Sequence, residues 1–327
     1  MRRTFVLVVT IFLVLVTCAA ARPQVAKLLL GNSGDPARFQ SQTGQKSTIR
    51  SFFLGWQQGQ TWGSRFPVML DQMSPIPMFH IGTKGRNKKD AITPRGIASG
   101  AGDAYLIVLS QGISAHQGLV YGRLMAEANH CERNYAAFTC GGVSRGPQYA
   151  PAAHADAFVR FSAILHGGTR AAINAKLVAR GLPRYAGPDL PVNSPEHLRL
   201  IWNPLGGARP SSSANSFEHY YPGDAAVDLV GNDMYGTDAG WSGPQNEALY
   251  AFARRHHKHY SLPEWGIEGR DSPNFVQYIC DFLKAKPAIE LASYYEAKAG
   301  SEWDLGPMPL SRAKYRSCIT PLGAPAP

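Results

Sequence analysis

The chain reads as a member of the α/β class, a single-domain (β/α)8 TIM barrel. Eight short runs recur along it that are apolar nearly throughout, as strands buried on both faces are. Between most of them lie stretches with apolar residues three and four apart, the pattern of helices that cover a parallel sheet. The 327 residues suit a barrel that takes about 250 before insertions, and no Gly/Ser or Pro-rich linker divides them. A doubly wound open sheet is the alternative.

The first 21 residues stand apart. Arg2 and Arg3 precede an apolar run from Phe5 to Val16 broken only by Thr10, and Ala19, Ala20 and Ala21 offer a cleavage site before Arg22. This is the layout of a secretory signal peptide. The run is about 12 residues against the roughly 20 that cross a bilayer, so no stable membrane insertion is expected. A retained anchor and a lipid-modified Cys18 are the weaker readings. The catalytic-sized domain then runs over residues 22–320.

Its strands are expected at Ala26 to Gly31, Ile49 to Trp56, Ile76 to Gly82, Leu119 to Ala126, Leu198 to Trp202, Val227 to Met234, His259 to Leu262 and Ile289 to Tyr295. Helical spacing places helices at Arg65 to Gln72, Ala101 to Leu109, Ala155 to Leu165, Gln245 to His257 and Pro273 to Leu283. The interval between strands five and six has the weakest helical signal. Residues 129–153, rich in Gly, Pro and Asn, form an insertion after strand four that a barrel would carry on its top face. Residues 321–327 read as a flexible tail.

Charged residues make up only 17% of the chain, below the roughly 25% of an average soluble domain, which excludes a highly charged disordered chain. Loss of the signal leaves 31 basic and 23 acidic residues, a formal +8. The basic residues are scattered and form no stripe interleaved with aromatics, so nucleic acid is not an expected partner. The mature chain keeps Cys131, Cys140, Cys280 and Cys318, an even number suited to two disulfides in an oxidising compartment. Of the three pairings, 131 with 140 and 280 with 318 close the shortest loops and are favoured on entropy. None of the four has metal-ligand spacing, and no metal is expected.

In this fold the chemistry sits at the C-terminal ends of the strands. Strand four ends in Arg123-Leu124-Met125-Ala126-Glu127-Ala128-Asn129, and strand seven in Leu262-Pro263-Glu264-Trp265-Gly266. Strands three apart in a ring of eight face one another across the lumen, so Glu127 and Glu264 can share a cleft. Either glutamate alone is as consistent with a strand-end ion pair. Two carboxyl groups about 5–5.5 Å apart suit double displacement at a glycosidic bond.

These residues resemble clan A glycoside hydrolases, and within them glycoside hydrolase family 26, the secreted β-mannanase type. The resemblance runs from Gly100 to Trp303. It is strongest in Tyr221-Pro222-Gly223-Asp224 followed by Val227-Asp228, Gly231 and Tyr235, similar to the family's YPGDxxVDxxGxxxY stretch. Arg123, Glu127 and Asn129 are similar to its RxxxExN pattern and imply Glu127 as general acid/base. Pro263 to Gly266 resembles its nucleophile segment and implies Glu264. Trp202-Asn203-Pro204 resembles its WxP feature, and Tyr294 to Trp303 its strand-eight sugar platform. The chain departs from the family around strand four: Ala126 stands where the family has His, and His130-Cys131-Glu132 replaces a WFWW run. The resemblance implies a retaining, endo-acting hydrolase of β-mannan or a related polysaccharide, working without a cofactor as a monomer. A non-catalytic barrel that binds glycan or cell-wall polymer is the competing expectation.

Substrate contacts are expected from Arg123, Asn129, Tyr235 and His80, and from the tryptophans Trp56, Trp202, Trp265 and Trp303, whose faces stack on sugars. Trp241 is a weaker candidate. Tyr235 is also placed to donate to Glu264. Asp233, Glu268 and Glu296 rank second as strand-end carboxylates. The basic run Arg254 to His259 reads as a helix C-terminus favoured by the helix dipole. The G-x-S-x-G string at Gly142 to Gly146 lacks the preceding strand that a nucleophile elbow needs. No Walker loop and no post-strand GxGxxG occurs.

Overall fold

The computed structural model describes residues 28–324. The signal segment, the start of the expected first strand and residues 325–327 lie outside these. Eight parallel strands form the barrel: β1 (Leu29–Ser33), β2 (Ile49–Leu54), β3 (Ile76–Ile81), β4 (Val120–Leu124), β5 (Leu198–Trp202), β6 (Leu229–Thr237), β7 (His259–Ile267) and β8 (Ile289–Tyr295). Each pairs with its neighbours in chain order, and β8 pairs with β1 to close the ring. A two-residue strand, Gly240–Trp241, turns back antiparallel on the end of β6. The barrel class is as expected, and the open sheet is excluded.

Among the described residues nine α-helices pack outside: α1 (Pro36–Thr43), α2 (Phe66–Gln72), α3 (Pro94–Ala98), α4 (Asp103–Ala115), α5 (Pro151–His166), α6 (Arg170–Ala179), α7 (Gly243–Arg255), α8 (Pro273–Ala285) and α9 (Pro309–Cys318). Seven of them carry Pro in the first turn, where its missing N–H forfeits no bond. Seven of the chain's 24 prolines therefore start helices rather than loops. The sequence pattern misses α1, α3, α6 and α9, which have ten residues or fewer and so offer little period to read. Between β5 and β6 there is no α-helix at all but three 3-10 turns, at Ser213–Asn215, Phe217–Tyr220 and Asp224–Ala226. Pro204, Gly206, Gly207, Pro210, Pro222 and Gly223 break this interval too often for a longer helix.

Three strand ends differ from expectation in ways that matter. Strand β4 stops at Leu124, leaving Glu127 on the loop beyond it, while β6 and β7 run three and five residues further than expected, so Tyr235 and Glu264 lie inside strands. The disulfides pair as loop closure favours, Cys131 with Cys140 and Cys280 with Cys318, the second tying α8 to α9. Thr320–Leu322 forms a 3-10 turn, and the Ala324 N–H donates to the Leu28 carbonyl, so part of the expected tail packs on the barrel. No helix among the described residues is long and apolar enough to cross a membrane.

Alternation along the strands divides the interior. Ile49, Ile76, Met78, Tyr121, Ile201, Leu229 and Leu291 form one buried cluster inside the ring, separate from the larger core under the helices. Successive strand residues face opposite sides, so each position two further along from these also faces inward. That step leads from apolar residues at the bottom to Phe53, His80, Arg123, Asn203, Asp233, Tyr235 and Tyr295 at the top. Period two alone thus brings these seven groups to the top of the barrel interior.

Candidate active site

A cleft of about 590 Å³ opens at the C-terminal face of the barrel and is lined by Glu127, Asp233 and Glu264 at its base. One carboxylate oxygen from each lies within 4.8 Å of the other two. The two glutamates expected from the sequence therefore do meet, and Asp233 joins them.

Glu264 reaches the cleft through an irregularity. On β6 and β7, Gly231 pairs with Ser261, but Asp233 pairs with Glu264, so β7 holds one extra residue between those pairs. Without it, Pro263 would face inward and Glu264 would point at the helices. Bulges beside active sites re-aim side chains in this way, and Pro263, which has no N–H to give a ladder, suits the position. Gly231 makes room: a Cβ there would stand 2.7 Å from both Pro263 Cγ and Ile201 Cγ2.

Glu127 arrives by a different route. Met125 and Glu127 both have left-handed backbone, at φ 48° and 58°, a conformation non-glycine residues adopt only when their surroundings impose it. The surroundings are visible. Met125 N donates to Ile81 O at 2.9 Å, Ala126 N to His80 Nε2 at 3.1 Å, and Glu127 N to Asn203 O at 2.7 Å, while the Tyr135 hydroxyl donates to Ala126 O at 2.6 Å.

Arg123 lies under the carboxylates, 1% exposed. Its Nη1 donates to both oxygens of Asp233 at 3.0 and 3.2 Å and to Asn203 Oδ1 at 3.0 Å, and its Nη2 donates to Glu264 Oε2 at 3.2 Å. The Tyr235 hydroxyl donates to Glu264 Oε1 at 2.5 Å. One guanidinium cannot neutralise two buried carboxylates. Burial holds Asp233 well above the usual carboxylate range, against the pull of Arg123 and with the push of Glu264. Burial also raises Glu264, opposed by Arg123 and by the Tyr235 hydroxyl. Burial thus opposes the charge on both carboxyls, and Glu264 carries two donors, Arg123 Nη2 and the Tyr235 hydroxyl, that favour its anion.

The insertion supplies the cleft wall nearest Glu127. Arg133 Nε donates to Glu127 Oε2 at 2.8 Å, and its Nη2 donates to the same oxygen. Across the cleft stand Phe53, Tyr235, Tyr295 and Trp303, each within 6.2 Å of another by ring centroids. Phe53 is 42% exposed at the end of β2, a large apolar face open to the cleft.

Several residues expected to touch substrate do not reach the cleft. Trp265 follows Glu264 and so faces the opposite side of β7, fully buried and stacked on Tyr315 at 5.6 Å. Trp202 is buried behind the wall against Tyr221 and Phe252, its indole N–H donating to Tyr220 O. Trp56 packs edge-on against Tyr105 in the core. Trp241 packs against Phe275 and Tyr278. Asn129 is a fastener, its amide accepting from Leu205 N and donating to Leu205 O, both at 2.8 Å. Nearness to a strand end does not fix which face a side chain takes, and that is the common cause. Tyr235, Trp303 and His80 do line the cleft. His80 accepts through Nε2, and burial with Arg123 and Arg133 nearby keeps its pKa well below the ordinary value, so it is a neutral support for the Glu127 loop.

Among the second-ranked carboxylates, Glu268 lies exposed on the rim. Glu296 is buried elsewhere against Arg38 at 2.9 Å, and burial pushes it up to about 7. The G-x-S-x-G string forms an exposed turn in the insertion, with Ser144 bridged to Phe138. Sequence reasoning missed Arg133, Asn203, Phe53 and Tyr295. Phe53 and Tyr295 were within reach, since both continue the inward alternation of their strands.

No protein-family model matches the sequence. No curated protein matches it either. Solved structures do. A Cellulomonas fimi endo-β-1,4-mannanase double mutant superposes with a TM-score of 0.61 at 12% identity, over 91% of this chain and 72% of that one. The fold is that of the family 26 mannanases. A Bacillus subtilis mannanase gives 0.57 at 14% identity over 89% and 85%, and a Bacteroides ovatus GH26 β-mannanase 0.55 at 15% over 89% and 88%. At such identities the likeness carries the mannanase fold, and the residues of the cleft have to carry the rest.

The Tyr235 hydrogen bond has a testable consequence. If Glu264 acts as an attacking anion, activity will fall as pH drops through its pKa, and Tyr235→Phe removes a donor that lowers that value. The acid limb of kcat/KM against pH is expected to move up by about one unit. An unmoved limb contradicts the assignment.

Proposed function

We propose that the protein is a secreted, retaining, endo-acting β-glycoside hydrolase of family 26 type that cuts β-mannan or a related β-glycan by double displacement. The observation that carries this is the meeting of Glu127 and Glu264 over one cleft, where of the two glutamates only Glu264 accepts from Arg123 and Tyr235. In this reading Glu264 attacks the anomeric carbon and Glu127 protonates the leaving oxygen, then takes a proton from the water that releases the sugar. Arg123 and Tyr235 hold the attacking carboxylate. Phe53, Tyr295 and Trp303 offer aromatic faces to the sugar chain. The chemistry needs no cofactor.

Support for the mannan side comes from the mannanases among the matching structures, and support for secretion from two disulfides and the signal-like first 21 residues. A panel of mannans, β-glucans, xylans and microbial cell-wall glycans, scored for new reducing ends and by pull-down, tests the proposal. Release from a β-mannan is expected, and its loss in both Glu127→Ala and Glu264→Ala. Binding without release would instead favour a non-catalytic glycan-binding barrel.

A further inference from the structure

Arg133 is the one side chain of the insertion that donates to a carboxylate at the base of the cleft. Its Nε and Nη2 groups both donate to a single oxygen of Glu127, Oε2. No group among the described residues donates to Oε1, and Glu127 lines the cleft. The segment is pinned on both sides of the arginine. Before it, Cys131 is bridged to Cys140, and its N–H donates to Arg209 O at 2.8 Å. After it, Tyr135 is fastened through its hydroxyl to Ala126 O and through its carbonyl, which accepts from His154 Nε2 at 2.8 Å. Arg145 Nη1 donates to Ala136 O at 3.1 Å.

A general acid has to present its proton to the leaving oxygen from one defined atom. An oxygen that accepts two N–H groups from a guanidinium has its lone pairs engaged, so the proton belongs on the other oxygen. We propose that Arg133 is a positioning residue for Glu127: it holds Oε2 as an acceptor and makes Oε1 the atom that delivers the proton. This rests on the reading of Glu127 as the acid/base. In the first step the Oε1–H bond breaks and its proton passes to the glycosidic oxygen, as the bond from that oxygen to the anomeric carbon breaks and Glu264 bonds to that carbon. In the second step water attacks the carbon, its proton passes to Oε1, and the bond to Glu264 breaks. Glu127 is then protonated again.

The test compares wild type, Arg133→Gln, Arg133→Lys and the double variant Cys131→Ser/Cys140→Ser on two probes. One is β-1,4-mannan, and the other is 2,4-dinitrophenyl β-mannobioside, whose leaving group departs without a proton. Arg133→Gln is expected to lower kcat/KM on mannan about 10- to 100-fold, mainly through kcat, yet to keep kcat/KM on the dinitrophenyl glycoside, which reports the first step alone, within about threefold. Arg133→Lys is expected to recover most of the loss, and the cysteine double variant to fall between, with little change in Tm. An unchanged kcat/KM on mannan in Arg133→Gln, or an equal loss of kcat/KM on both probes, overturns the inference alone. A wild-type protein inert on both probes overturns the β-mannan reading together with it.

Discussion

Glu264→Ala is expected to lose on the order of 10⁴-fold or more in kcat/KM on any glycan the protein cuts, because the proposed mechanism makes its carboxylate the group that bonds to the sugar. Its neighbours predict more than loss. The substitution leaves a small space bordered by Arg123 Nη2 and the Tyr235 hydroxyl, which now donate to the missing carboxylate. A small anion fits there. Added azide should attack the anomeric carbon from the side that Glu264 occupied and yield the α-glycosyl azide from a β-linked substrate. Glu127→Ala should behave in the opposite sense, forming the β-glycosyl azide after Glu264 has already reacted. Mass and NMR analysis of the two products assigns the roles separately. If the two variants gave each other's products, the roles are reversed.

The second large effect concerns Arg123. It is the only cation that donates to Asp233 or Glu264 among the described residues, and all three are buried. Arg123→Met keeps the bulk but leaves two carboxyl groups without their counter-charge, and removing one partner from such a buried cluster costs about 3–5 kcal/mol. The sign of its pH dependence follows from the burial. In the variant each carboxyl has a folded-state pKa raised above its unfolded value, so the folded state binds more protons and stability falls as pH rises through that window. Urea unfolding at pH 5 and pH 7 should therefore show the larger deficit at pH 7. A deficit below about 1 kcal/mol, or one that grows as the pH falls, would mean that Arg123 does not carry the charge balance of the site.

The barrel was legible because its evidence is repeated eight times: each apolar run reports burial on both faces, and length and turn content admit few other closures. Glu264 was legible from its neighbours in sequence, but not the means by which it faces the cleft. The extra residue near Pro263 leaves no trace in composition, and a regular strand would have turned Glu264 outward. The same period-two rule explains why Trp265, Trp202 and Trp56 lie in the core while Phe53 and Tyr295 reach the sugar side. Asp233 could have been raised above second rank, since it follows Leu229 and Gly231 at steps of two. Arg133 had no such signal. It sits in a segment without periodicity, and only the folded insertion brings it back to Glu127, six residues earlier in the chain.

The account stands on Glu127 and Glu264 acting together in a double displacement, and the stereochemistry of the first product tests that most directly. Proton NMR of the anomeric region during the first minutes of β-mannan hydrolysis, before mutarotation, should show the β-anomer of the new reducing end and only later the α-anomer. Initial appearance of the α-anomer would mean direct attack by water, and would contradict the role given to Glu264 even if both glutamates proved essential.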